Sequence, residues 1–224
     1  MTENIIKDIR KRCRLAMNGI VSANMRKMGL NYKLNFGVSL SKLKEIAAYY
    51  EADAILANSL WKEDVRELKI LATMLYPAEL FNMNEADRWL KEVPNQEIRE
   101  QLCINLLQKL DFAGEMVTEW VNSNLQEYRI TGYWLLARLL ISKKATGGNT
   151  GISSFPHLLD DVTFENTSLR NASLLALKQL GRTSDNEARN IMVRINDFEH
   201  SGNEIKKEVY NSLKFEFDYY FNQN

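Results

Sequence analysis

The sequence predicts an all-α protein, a superhelical stack of helical hairpins of the α–α solenoid kind. Three observations predict it. Five stretches, opening near Glu63, Gln96, Gln126, Thr167 and Asn203, repeat one pattern: a capping or acidic residue, an apolar residue, then Arg or Lys. Each opens about fifteen residues of helical periodicity. The cations fall at Arg66, Arg99, Arg129, Arg170 and Lys206, at spacings of 33, 30, 41 and 36. A period in that range means stacked hairpins, because one hairpin can bury its apolar stripe only against the next.

The chain has 224 residues, 45% of them hydrophobic, which is ample for one continuous core. A single domain over 1–224 is expected, with basic N-terminal helices over 1–52 and the hairpin array over 53–224. No apolar run approaches the roughly 20 residues of a membrane span. The N-terminal segment alternates acids and bases with isoleucines at helical spacing, unlike a signal peptide, so a cytoplasmic, monomeric protein away from membranes is expected. Cys13 and Cys103 are too few and too distant for a metal or disulfide framework, and His157 and His200 lack partners at ligand spacing. No cofactor and no metal is expected.

Net charge is zero but unevenly spread. Residues 1–44 carry 10 Lys/Arg against 2 Asp/Glu, residues 45–127 carry 7 against 16, and the remainder is nearly balanced. A basic head on an acidic middle suits a protein that offers one anion-attracting surface.

The elements follow in order. Helices are expected over 3–17 and 19–28, then a loop in which Gly37 takes a positive φ, then a helix capped by Ser39 or Ser41. A short helix, Asp53–Trp61, precedes a long one, Glu63–Tyr76, stopped by Pro77. Asn84 is expected to cap a helix through Lys91, and after Pro94 a helix runs from Asn95 to Leu110. Ala113–Asn122 pairs with Leu125–Ser142. Residues 143–154 read as a mobile, glycine-rich loop. The last hairpins are Phe155–Leu159 with Thr167–Leu180, and Asn186–Phe198 with Asn203–Phe221, whose aromatic rings cap the stack.

Equivalent stacking places Arg66, Arg99, Arg129, Arg170 and Lys206 along one edge, a ladder suited to a phosphate backbone. The same acids and bases, Glu97 beside Arg99 for instance, also suit bonds between neighbouring repeats. Tyr133, one turn past Arg129, is a candidate to stack on a base, and Lys143 and Lys144 are candidate clamps. Trp61, Trp89, Trp120 and Trp134 are core residues first. The segment 147–151 lacks the Gly-Lys-Ser/Thr ending of a phosphate loop, and no nucleophile elbow or zinc motif occurs.

Residues 59–75, Ser-Leu-Trp-Lys-Glu-Asp-Val-Arg-Glu-Leu-Lys-Ile-Leu-Ala-Thr-Met-Leu, with the preceding Asn35-Phe36-Gly37-Val38, resemble the bacterial DNA alkylation repair family. The likeness of pattern runs from about residue 20 to 200. It implies HEAT-like repeats and, in the family's active DNA glycosylases, a carboxylate and two tryptophans in a concave groove. The carboxylate stabilises the oxocarbenium-like sugar as a cationic base departs. Here the matching segment reads Val93-Pro94-Asn95-Gln96-Glu97-Ile98-Arg99-Glu100, with no Trp and no Asp, and Leu174 and Leu175 stand where the second Trp belongs. The groove arginine matches at Arg129. Glu97 and Glu100 are the remaining candidate catalytic carboxylates. The resemblance therefore implies a protein that binds the phosphate backbone of damaged or structured DNA, with base excision weakened or absent. The alternatives are an active glycosylase using Glu97 or Glu100, and a helical-repeat scaffold for a protein partner.

Overall fold

A computed structural model describes residues 2–30, 32–144, 146–148 and 151–222. Thirteen α-helices and no strand occur among them, so the chain has the all-α helical-repeat fold that the periodicity predicts. The chain gathers into two compact units, Met1–Leu110 and Asp111–Asn224.

The first unit holds α1 (Thr2–Leu15), α2 (Gly19–Lys27), α3 (Leu40–Ala47), α4 (Ala54–Trp61), α5 (Arg66–Leu75), α6 (Met83–Lys91) and α7 (Gln96–Asn105). Ser39, Asp53 and Asn95 cap α3, α4 and α7 through side-chain oxygens that accept backbone N–H groups, satisfying donors that a helix start leaves unpaired. The cap of α6 is Asn82, which accepts from Glu85 N at 3.0 Å, and not Asn84. Helix α5 begins at Arg66 rather than Glu63. Leu34 pairs with Val65 in an isolated parallel bridge, with Leu34 O accepting from Arg66 N at 3.1 Å, so Val65 is held extended. Helix α7 ends at Asn105 and a 3₁₀ turn, Leu107–Lys109, replaces its expected last turn.

The core of this unit is aromatic. Trp61 of α4 stacks on Trp89 of α6 with centroids 4.1 Å apart and planes 7° from parallel, and Phe81 and Tyr76 meet Trp89 edge-on. Trp61, Trp89 and, in the second unit, Trp120 are buried, as expected of large apolar rings; Trp134 is partly buried. Gly37 adopts φ +71°, and a Cβ there would lie 2.2 Å from Asn18 O. Only glycine permits this loop to press on the start of α2.

The second unit holds α8 (Ala113–Val121), α9 (Gln126–Ile141), α10 (Leu158–Asp161), α11 (Thr167–Gly181), α12 (Asp185–Arg194) and α13 (Glu204–Asn222). Helix α9 packs on α8 and α11, and α11 on α12 and α13. Of the segment read as a mobile loop, Ala145, Asn149 and Thr150 lie outside the described residues. The described part is anchored: a Cβ on Gly114 of α8 would lie 2.4 Å from Gly147 N, and Ile152, buried, donates its N–H to Glu187 at 2.6 Å. The rings of α13 divide, Tyr210 and Phe217 facing inward and Phe215 and Tyr219 outward. No described helix is long and apolar enough to cross a membrane.

Candidate nucleic-acid interface

The ladder cations all lie in the first turn of their helices, Arg66 as the first residue of α5, Arg99, Arg129 and Arg170 as the fourth of theirs and Lys206 as the third of α13, and they meet different surroundings. Arg66 is 2% exposed. Its Nε and Nη2 fork onto the Glu97 carboxylate at 2.7–3.0 Å, and Nη1 donates to Val38 O at 2.8 Å and Glu67 Oε1 at 3.0 Å. Glu67, fully buried, in turn accepts from Phe36 N and Val38 N. One arginine and two carboxylates thus fasten α5, α7 and the 32–38 loop together.

Arg129 repeats this in the second unit. Its Nε and Nη2 fork onto Asp161 at 2.7 and 3.0 Å, and Nη1 donates to Ser123 O at 2.9 Å. Asp161 lies 32 residues past Arg129, as Glu97 lies 31 past Arg66. Such planar forks are the strongest side-chain pairs available to a carboxylate, and each joins one hairpin to the next. Arg66 and Arg129 are therefore clips of the stack, the alternative that acid–base pairing in the sequence had left open. Asp161 was missed at the sequence level, although its offset of one repeat from Arg129 was there to be read.

Tyr133 is corrected outright. It is fully buried, and its hydroxyl donates to Asp161 Oδ2 at 2.8 Å. A ring with no exposed face cannot stack on a base. Burial, followed by the Asp161 charge, pushes its phenol well above the ordinary tyrosine range.

Arg99 is buried and donates to Gln96 Oε1 at 2.9 Å. Arg170 is half-buried and donates to Phe164 O at 2.8 Å, the carbonyl six residues back that Arg129 also uses, but it pairs with no carboxylate among the described residues. Lys206 is 3.9 Å from Asp197 and lies over the Phe198 ring at 4.7 Å. Lys143 and Lys144 are exposed just beyond α9.

The candidate carboxylates are both engaged. Glu97 lines a groove of about 610 Å³ with Asn18, Val21, Met25, Lys42 and Arg66. Besides the Arg66 fork it accepts the Tyr32 hydroxyl at 2.7 Å, so both of its oxygens are already engaged by the protein. Glu100 accepts from Gln96 Nε2 at 3.2 Å, and burial raises its pKa above the ordinary glutamate value. Among the described residues no group of His, Cys, Asp and Glu side chains could hold a metal ion.

The accessible positive charge lies elsewhere. Lys11, Arg14, Arg26, Lys27, Lys33 and Lys44 of the first unit are all exposed, and none has an ion-pair partner among the described residues. In the same segment Lys7, Arg10, Arg12 and Lys42 are paired with acids. The concentration of cations before residue 45 is visible in the sequence.

A helical-repeat protein in which two of the recurring arginines, Arg66 and Arg129, are clipped to carboxylates one hairpin on, and whose first 44 residues carry exposed, unpaired cations, is the class that fold and site define. The sequence matches the family described as DNA alkylation repair enzyme over residues 12–138, more than half of the chain, and the chain belongs to that family. A solved structure, described as of "a new family of proteins related to the HEAT-like repeat DNA glycosylases with affinity for branched DNA structures", is similar in fold. The TM-score is 0.73 at 13% identity, covering 95% of this chain and 94% of that one. No curated protein matches this chain.

Proposed function

We propose that this protein binds the phosphate backbone of structured or damaged DNA, with little or no base excision. The six exposed, unpaired cations Lys11, Arg14, Arg26, Lys27, Lys33 and Lys44, all before residue 45, carry this reading. Cations without protein partners keep their full attraction for phosphates and release condensed counterions on contact. Membership of a DNA alkylation repair family and a fold shared with a group described as having affinity for branched DNA support the same substrate class.

The state of the two glutamates argues against efficient glycosylase chemistry. Stabilising an oxocarbenium-like sugar needs a carboxylate whose charge faces the substrate. Glu97 is held by the Arg66 fork and the Tyr32 hydroxyl, and Glu100 is half-buried and accepts from Gln96. Titration of duplex, nicked and branched DNA at two salt concentrations tests binding: the expected result is tight association that weakens steeply with salt, strongest on branched DNA. An assay of methylated-base release from alkylated DNA tests the enzyme reading. Release by the wild type that disappears in Glu97→Gln or Glu100→Gln would restore it.

One observation favours a protein partner as a second reading: Leu15, Ile20 and Met28 are 80%, 77% and 74% exposed. Exposed apolar side chains in one region mark interaction surfaces. Failure to bind any DNA at low salt would favour that reading.

A further inference from the structure

The second unit contains a cleft of about 700 Å³ where the ends of α9, α11 and α13 meet. Lys143 and Lys144 follow α9, Gln179 and Arg182 come from the end of α11, and Tyr220 from the last turn of α13. Lys178 stands beside them and, with Arg182, pairs with Glu216. Lys143, Lys178 and Arg182 therefore set three cations against the one carboxylate of Glu216. The Arg182 guanidinium lies over the Tyr220 ring at 5.3 Å, and its buried Nε has no acceptor among the described residues. Neither the Lys143 ammonium nor the Gln179 amide has a side-chain partner among the described residues.

The backbone supplies a second, independent observation. Lys144 N bonds Leu139 O at 2.9 Å and Lys143 N bonds Leu140 O at 3.1 Å. This is the pair of bonds that closes a helix when the residue after the C-cap is left-handed, a place where glycine is usual. Lys143 holds that place at φ +53°, the one non-glycine residue with positive φ among those described. A β-carbon is disfavoured in that conformation, so the lysine stands where fold stability alone selects glycine. Backbone strain of this kind points to a role for the side chain.

We propose that this cleft is a phosphate-binding site, taking a backbone phosphate of a nucleic-acid strand on Lys143, Lys144 and Arg182, with the Gln179 amide as a further donor. Lysines act there as point charges and the arginine as an oriented fork. The inference rests on the DNA-binding reading, and adds an anchor point in the second unit to those of the first.

The experiment measures binding of a labelled four-way DNA junction across salt concentrations, with thermal unfolding of each protein in parallel. The proteins are wild type, Lys143→Gly, Lys143→Gly/Lys144→Gln and, as a control on exposed α12, Arg189→Gln. Lys143→Gly is expected to raise the unfolding midpoint, because glycine tolerates the left-handed position, while weakening DNA binding. The double variant is expected to bind about tenfold more weakly at moderate salt, with a salt slope shallower by about 0.9 for each phosphate that it no longer neutralises. Arg189→Gln should match wild type. Wild-type affinity and slope in the double variant, with wild type binding normally, overturn this site alone; no junction binding by wild type overturns both readings. A lower midpoint in Lys143→Gly marks the lysine as a structural cap and overturns the proposal. Inorganic phosphate at millimolar concentration should compete only weakly, and loss of the strand at equimolar phosphate assigns the cleft to a free anion instead.

Discussion

At the scale of single residues, the same arginine position serves two purposes, and the neighbouring carboxylate decides which. Arg66 and Arg129 have acids one repeat away and are drawn into the stack; Arg170 has Gly202 at the corresponding offset and keeps its guanidinium clear of acids. Breaking a buried pair leaves the partner charge stranded. Arg66→Ala is expected to lose about 3–5 kcal/mol of stability in urea unfolding, since Glu67 and Glu97 both lose their cation. Arg66→Lys should fall between the two, because an ammonium cannot reproduce the fork. Wild-type stability in Arg66→Ala would show that the clip contributes nothing. Glu100 acts in the opposite sense. Its folded pKa is raised by burial, so between the ordinary glutamate pKa and the raised value the folded state holds more protons than the unfolded one. Stability therefore falls as pH rises through that window. Glu100→Gln is expected to be at least as stable as wild type at pH 7 and to lose this part of the pH dependence, which urea titrations from pH 4 to 7 measure directly.

At the scale of elements, close approaches between helices are set by small residues as much as by large ones. A Cβ on Gly181 at the end of α11 would lie 2.2 Å from the Phe217 ring of α13. Gly181→Ala is expected to cost about 1–3 kcal/mol through overpacking, and Phe217→Leu in the same chain to recover part of it. Additive losses would mean that the two positions do not press on one another. The helices themselves were legible in the sequence, because apolar periodicity and Ser, Asp and Asn caps are local signals: α4, α8 and α9 begin and end within two residues of expectation. What was not legible was set by distant parts of the chain. The late start of α5 depends on Leu34 pairing with Val65, and no periodicity within 63–76 contains that bridge. The anchoring of Gly147 against Gly114 is likewise invisible in a run of glycines, which reads as loop whatever it packs on. Tyr133 looked like a surface ring because it follows a cation by one turn, yet four residues along a helix is also the spacing at which two side chains grip one carboxylate.

At the scale of the whole molecule, zero net charge conceals a basic beginning and an acidic middle. The charge asymmetry on which the proposed site rests is legible along the sequence. Its division into buried clips and open cations was not, because that depends on which acids folding brings within reach. The central claim is that the unpaired cations of the first unit hold phosphates while Arg66 and Arg129 hold the fold. The most direct test is the slope of log binding constant against log salt for branched DNA. It is measured for wild type and for Lys11→Gln/Arg14→Gln/Arg26→Gln/Lys27→Gln, all exposed positions. The predicted result is a steep wild-type slope that becomes shallower by about 0.9 for each phosphate left without its cation, hence by up to about 3.6 in the fourfold variant, with unfolding unchanged. Equal slopes for the two proteins, or binding indifferent to salt, would contradict it.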